Sequence, residues 1–429
     1  MAKPKLALIP AAQGDKFYSV LPSDGVGDFT FTRASTGTRI APTGLIEEVP
    51  SGDSRLNYDL LNGKVVNCPH YLLEPASTNL ITYSEDFSNS SWTKADSSIT
   101  SNSVISPDGA LNGYKLTENT SNSLHGLFLI GLLTSSGTYS FSFFVKKSER
   151  SIFAFGNASS GTNYIVFNLD NLTTKPIGTG GATISNDKIE NYGNDWYRCS
   201  LKMIAPSAIS LGFLLMKDES NTSYLGDGTS GLYIYGAMLE QLSYPTSYIP
   251  TNGTAITRAA ETATGSGDAA TFNDSEGVLM AEISALADDG TYRLNTLSDN
   301  TSNNFIVIGY SLNSNKMFLD GVIGGVRFIT LEATVNQEEF NKVCLKYKSG
   351  DASIYLNGFK ILSSTTTFAH SGSPISELEF DYWNNTLPFY GKTRELQYFD
   401  SVLTDAQLET LTSWTSLQEM ITSQLYTNY

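Results

Sequence analysis

Positive charge, cysteine, histidine and long apolar runs are all scarce in this chain. Its 27 Lys and Arg are outnumbered by 43 Asp and Glu, for a net charge of −16. Nucleic acid is excluded as a partner, because phosphate backbones demand clustered Lys and Arg. Anionic membrane surfaces are disfavoured for the same reason. No stretch approaches the ~18 apolar residues of a membrane span, which argues against insertion by a helix. The apolar run in residues 1–12 is broken by Pro4 and Pro10 and is too short for the core of a secretory signal. Three cysteines, Cys68, Cys199 and Cys344, cannot all pair within one chain. Cys199 sits on the apolar side of an alternating run, where a buried free thiol is expected. No disulfide framework is expected, which fits synthesis in a reducing cytoplasm. The three histidines, His70, His125 and His370, are far apart and read as surface or loop residues. G-x-S-x-G, P-loop, H-E-x-x-H and C-x-x-C motifs are absent, so the familiar hydrolase, nucleotide and metal signatures are missing.

What the chain does have is a polar but weakly charged surface. Only 16% of residues are charged, 40% are apolar and 36 are glycine. Ser, Thr, Asn and Gly must therefore supply the solvent-facing positions and the turns, a composition typical of extracellular β-proteins. Alternation with a period of two predicts half-buried antiparallel strands. Tyr139, Phe141, Phe143 and Val145 face one way while Ser140, Ser142 and Lys146 face the other. Tyr197, Cys199, Leu201 and Met203 alternate in the same manner with Arg198, Ser200 and Lys202. Further strands are expected at 114–117, 127–133, 152–156, 164–169 and 209–217. Trp92 and Trp196 read as core residues, since buried aromatics fill sandwich cores.

The stretch 231–261, GLYIYGAMLEQLSYPTSYIPTNGTAITRAAE, organises the chain. Leu232, Ile234 and Met238 alternate with Tyr233, Tyr235 and Leu239, which predicts a strand with two apolar faces. Pro245 and Pro250 then stop any ladder. Residues 251–274 have linker composition. A second series follows, at 278–283, 305–310, 317–319, 326–330 and 342–347. Next come 353–356 and 359–362, joined by Asn357-Gly358, the signal of a type I′ hairpin. Thr404 and Gln407 form a capping box for a short helix, with Asp405 in its first turn and Leu403 and Leu408 as a staple. Beyond it, Trp414, Leu417, Ile421 and Leu425 fall at helical spacing.

Several phrases are familiar. The strand ending in Leu239-Glu240, followed by YPTSYIPT and Thr257-Arg258-Ala259, resembles the end of a carbohydrate-binding-module-like β-sandwich of phage fibre and spike proteins. KVCLKYKSGDASIYLNGFKI and YGKTRELQYFDSVLTDAQLETLTS resemble laminin-G and concanavalin-A-like lectin domains. The opening, KFYSVLPSDGVGDFTFTR onward, is similar to the start of many phage-encoded proteins. The resemblance implies a structural protein of a tailed-phage virion, on head or tail, made in the host bacterial cytoplasm. It also implies a non-enzymatic role in glycan adhesion and a homo-oligomer, most readily a trimer, held to other virion proteins through residues 1–75.

The expected fold is all-β, with two antiparallel jelly-roll-type sandwiches in series. An irregular N-terminal region, 1–75, serves as an arm or small β region. The carbohydrate-binding-module-like sandwich spans 76–262, the concanavalin-A-like one 263–412, and a helical tail 413–429. Sugar sites need an aromatic platform beside planar polar groups. Tyr382, Trp383, Asn384 and Asn385, where a strand turns into a loop, are the candidate glycan-binding residues. The alternative is a polysaccharide-degrading glycoside hydrolase centred on Glu377, Glu379 and Asp381, which project from one face of a strand. The Glu, Glu, Asp order departs from the concanavalin-A-like glucanase pattern, and a solvated polar face explains the same alternation. A secreted bacterial adhesin is a further alternative. No catalytic residue and no cofactor is assigned. Structural calcium is entertained at Asp108 and Asp227, each of which reads first as a turn before glycine.

Overall fold

The computed structural model of the protein describes residues 3–66, 68–133, 135–158, 163–178, 182–205 and 208–414. Strands dominate it, and the helix Asp405–Thr412 is a single short element near its end. Of the C-terminal helical stripe only Trp414 falls within the described residues; Leu417, Ile421 and Leu425 lie outside them. Among the described residues no helix is long and apolar enough to cross a membrane.

The first sandwich packs two six-stranded antiparallel sheets. One is built around Gly137–Lys147, which pairs with Trp196–Ala205 on one side and with Gly231–Glu240 on the other. The other is built around Ile209–Met216, flanked by His125–Leu133 and Ile152–Asn157. Phenylalanines from both sheets meet between them. The Phe141 and Phe155 rings stack 3.7 Å apart, and Phe143 and Phe213 meet edge to face at 5.2 Å. Trp92 and Trp196 are both buried, as expected. Gly236 sits at φ +58 where the register slips by one residue, so the organising strand carries a bulge. That bulge reverses the alternation: Ala237 and Leu239 face the sandwich core with Leu232 and Ile234, while Met238 joins Tyr235 on the other face, contrary to the expected grouping. The Tyr235 hydroxyl lies 3.0 Å from both Glu85 and Asp108.

The second sandwich is where the chain departs from two sandwiches simply in series. Its larger sheet has eleven strands, and several come from the first 75 residues. Leu6–Gln13 pairs with Gly391–Phe399, so that Leu6 lies opposite Tyr398. Lys16–Leu21, Phe29–Thr32 and the stretch His70–Leu73 join the same sheet. Leu6, Leu8, Phe17, Phe29, Phe31 and Tyr71 are core residues alongside Leu279, Leu345 and Leu396. Residues 1–75 are therefore not an independent arm. They have few apolar residues for their length, yet each strand needs only one buried face and borrows the second layer from the C-terminal half.

The smaller, five-stranded sheet runs Val326–Thr334, Lys316–Ile323, Phe305–Tyr310, Arg293–Ser298, Glu377–Glu379. The Asn357-Gly358 hairpin has φ +48 and +88, as a type I′ turn requires. The capping box on Thr404 and Gln407 is formed, and Leu403 and Leu408 pack together beneath it.

The linker composition of 251–274 conceals two crossing points. Ile256–Arg258 pairs with Ser77–Asn79 of the first sandwich, and Thr262–Thr264 pairs with Phe29–Thr32 of the second. Between them lies a buried charge network. Glu261 accepts from Arg33 Nη1 and Arg55 Nε, both at 2.8 Å, and also from Arg55 Nη2 and the Glu74 backbone. Glu74 in turn pairs with Arg55 and, at 3.1 Å, with Arg258. These side chains are 0–3% exposed. The Thr257-Arg258-Ala259 phrase is thus part of the joint between the two sandwiches.

Candidate functional site

The Glu377–Glu379 strand is the edge of the five-stranded sheet, paired with Arg293–Ser298. Its alternation separates two environments. Leu378 and Phe380 enter the core, while Glu377, Glu379 and Asp381 project from the opposite, outer face. Glu379 lies opposite Thr296, whose neighbours on that face are Leu294 and, one strand further, Phe305 and Val307.

Tyr382 and Trp383 follow at once and turn their rings onto the same face. They pack on Leu294, Phe305, Val307 and Val322. Their centroids lie 5.4 Å apart, and Tyr382 meets Phe305 edge to face at 5.7 Å. Both rings are half-buried, so each keeps some surface for solvent. Asn384 and Asn385 are exposed and form the turn beyond them. Asn385 takes φ +56 and its N–H donates to the Tyr382 carbonyl at 2.8 Å, while a Tyr382–Thr386 bridge closes the loop. The four candidate sugar-binding residues and the three carboxylates named as an alternative centre are thus neighbours on one outer face.

The electrostatics of this face are unusual. Burial pushes the Glu379 carboxyl well above the usual carboxylate range, and the charges of Asp381 and Glu377 push it further. Asp381 is raised too, by burial first and then by the Glu377 charge. Like charges a few ångströms apart cannot both ionise cheaply, so the pair holds a proton near neutrality. Glu377 is braced from the side by Asn300 Nδ2 at 3.0 Å. Glu379 Oε2, Asp381 Oδ1, Thr296 Oγ1 and Trp383 Nε1 are all buried without a hydrogen-bond partner among the described residues. Sequence alternation finds the three carboxylates, but not Thr296 and Asn300, which arrive from a strand and loop some eighty residues earlier with no motif to mark them.

The other named residues lie elsewhere. His70 and His125 are fully buried, contrary to the surface reading, and His370 is only partly exposed. His70 packs beside Asp59 at 3.5 Å, and burial pushes its imidazole down to about 4, so it is neutral. His125 Nδ1 and Nε2 lie 2.7 and 3.2 Å from the Asp96 and Tyr224 carbonyls. Both had looked like loop residues because neither falls inside a clean alternating run. The Asp108 and Asp227 carboxylates serve their own turns. Asp108 takes bonds from the Ala110 N–H and Asn112, and Asp227 from the Thr229 and Ser230 N–H groups. No group of three His, Cys, Asp or Glu among the described residues is arranged to hold a metal ion. The three cysteines are unpaired, with Cys199 and Cys344 buried and Cys68 exposed.

No protein-family model matches the chain, and neither does any curated protein. Solved structures are similar to it in part. A carbohydrate-binding module of a Ruminococcus gnavus intramolecular trans-sialidase, bound to α2,3-sialyllactose, is 16% identical over 35% of this chain and 94% of its own, with a TM-score of 0.29. A heptameric pentraxin from Limulus polyphemus is 14% identical over 33% of this chain and 72% of its own, with a TM-score of 0.27. Laminin-G domains 4–5 of the mouse laminin α1 chain are 10% identical over 70% of this chain and 90% of their own, with a TM-score of 0.23.

Proposed function

We propose that this chain is a non-enzymatic glycan-adhesion protein, and that the outer face of its five-stranded sheet is the binding surface. The observation that supports this is the placement of the Tyr382 and Trp383 rings beside Glu377, Glu379, Asp381 and Asn300. A pyranose has an apolar C–H face and a rim of hydroxyls, and it needs a ring on one side and planar acceptors on the other. Glu379, holding a proton, also offers a donor. A tailed-phage fibre or spike as the setting rests on the sequence resemblance alone, as does the trimer. Several copies would turn individually weak sugar contacts into useful avidity. Attachment through residues 1–75 then uses a folded surface, on which Ile9, Tyr18 and Val20 stand exposed.

The second reading is a glycoside hydrolase, and the raised Glu379 and Asp381 carboxyls are the observation that favours it. Retaining glycosidases place their carboxyls about 5–5.5 Å apart on either side of the scissile bond. A glycan array read with the wild type and with Trp383→Ala tests the adhesion reading; array signal unchanged by the substitution refutes this face. Polysaccharide cleavage that disappears in Glu379→Gln would establish the hydrolase instead.

A further inference from the structure

The chain has nine arginines, and eight of them have a carboxylate within ion-pair distance. Arg198 is the exception among the described residues. It is only 6% exposed. Its Nη2 donates to Ser142 Oγ at 3.0 Å and to the Thr246 carbonyl at 2.7 Å, both neutral acceptors. Its Nε is buried and has no acceptor among the described residues. Burial works against its charge, but Tyr192, which also hydrogen-bonds to it, and Glu190 and Glu240 outweigh that and hold the guanidinium above its ordinary value without forming an ion pair. Withdrawing a guanidinium from water is costly, and here the cost is met by partial and distant charges and by the Phe144 ring rather than by a carboxylate in contact.

The surroundings provide room for a carboxylate. Arg198 lines a cavity of about 280 Å³ between the two sandwiches, whose wall includes Phe144, Tyr192, Tyr248 and Leu286. A second cavity of about 170 Å³ adjoins it and shares Arg198, Lys188, Leu286 and Glu338. Glu190 lines both cavities and is not in an ion pair among the described residues; most of the other charged groups in the wall are paired. Asp59 is paired with Lys392, Glu74 with Arg55, Arg39 with Glu47, and Lys188 with Glu338. Ser200 Oγ, at the second cavity, is likewise buried without a partner.

We infer that the cleft between the sandwiches is a binding site for one carboxylate-bearing monosaccharide unit, with the Arg198 guanidinium as receptor for the carboxylate. Guanidinium and carboxylate match in planarity and donor geometry. The rings of Tyr192 and Tyr248 suit the C–H face of a pyranose, and Asn57 and Asn191 in the wall suit its hydroxyls. A volume near the lower end of the range for small-molecule pockets admits one sugar residue rather than a chain. This site is separate from the outer face of the C-terminal sandwich and does not depend on it.

The test is equilibrium binding of glucuronic acid and of glucose to the full chain, by calorimetry or ligand-observed NMR. The expected result is saturable binding of glucuronic acid at least tenfold tighter than glucose. Arg198→Met should abolish the preference. If that variant fails to fold, Leu286→Trp decides, because it fills the cavity and leaves Arg198 with its bonds to Ser142 and Thr246. Loss of glucuronate binding in Leu286→Trp supports the site. The inference is overturned if the wild type binds neither sugar, binds both equally, or if glucuronate binding survives in every folded variant. Trp383→Ala should leave this binding unchanged, which separates it from adhesion on the outer face.

Discussion

Glu261 offers the sharpest test of how the two sandwiches are joined. Replacing it with alanine removes the acceptor of Arg33 Nη1 and of two donors on Arg55. Arg55 keeps Glu74 and the Thr38 carbonyl, and Arg33 keeps the carbonyls of Ser35, Val49 and Pro50. The network is broken but not emptied. Removing one member of a buried ion pair costs about 3–5 kcal/mol, and the retained carbonyls place the expected loss near the lower end, about 3 kcal/mol. Glu261→Gln keeps one carbonyl oxygen of matching shape and should lose about half as much. Urea denaturation followed by tryptophan fluorescence and by far-ultraviolet circular dichroism reads both. A loss below about 1 kcal/mol for Glu261→Ala, or equal losses for the two variants, refutes the view that charge pairing holds the joint. The same network sets an acid limit. Burial alone would raise the Glu74 carboxyl, but Arg258 and Arg55 outweigh it and hold it down at about 2. A depressed carboxylate lends stability above its unfolded value and loses it as pH falls through the folded one. Wild-type stability should therefore decline between about pH 5 and pH 2, and Glu74→Gln should flatten that decline.

Glu379 has the opposite sign. Its raised carboxyl favours the fold while protonated and penalises it as pH rises, so Glu379→Gln should gain melting temperature relative to wild type with each step from pH 6 to pH 9; a constant difference would contradict the raised value. Gly236→Ala should cost about 1–3 kcal/mol by thermal denaturation, because a side chain at φ +58 is strained and its Cβ would come within 2.9 Å of the Phe144 ring. Phe141→Ala should cost about 3–5 kcal/mol, since it empties a stacked position between two sheets. Thr404→Ala should cost about 1 kcal/mol through the lost cap, and Thr404→Ser should restore most of it.

The strands that were legible were those with apolar alternation or a continuous apolar run. The Tyr139 to Val145 alternation and the Asn357-Gly358 hairpin both appear as the residues dictate. Thr183–Asn191 and Arg293–Ser298 were not expected, because their sequences TISNDKIEN and RLNTLS carry too little apolar contrast. Partners decided them: the first is held by Trp196–Ala205, the second by Phe305–Tyr310 on one side and Glu377–Glu379 on the other. Residues 1–75 were legible only in part for a related reason. Phe29 and Phe31 show alternation, but nothing local says that they join a sheet with Leu279 and Leu396 or that Phe29 packs on Phe380. At the outer face, the carboxylates and rings were visible in sequence because they are contiguous. Arg198 was visible only as a polar position on a strand; its missing anion is a fact about three dimensions.

Leu6 opposite Tyr398 has a consequence for how the chain is made. Leu6–Gln13 meets one neighbour, Lys16–Leu21, at once, but its other neighbour, Gly391–Phe399, only after all the residues between them have been made. The sandwich in between is an insertion whose strands pair with one another, so it can form while the earlier strands wait. Those waiting strands expose Leu6, Leu8, Phe17 and Phe31, which the finished protein buries. Long-range closure of this kind slows folding and lengthens exposure to aggregation. Chains truncated before Gly391 should therefore yield a folded first sandwich joined to a sticky, incomplete second one.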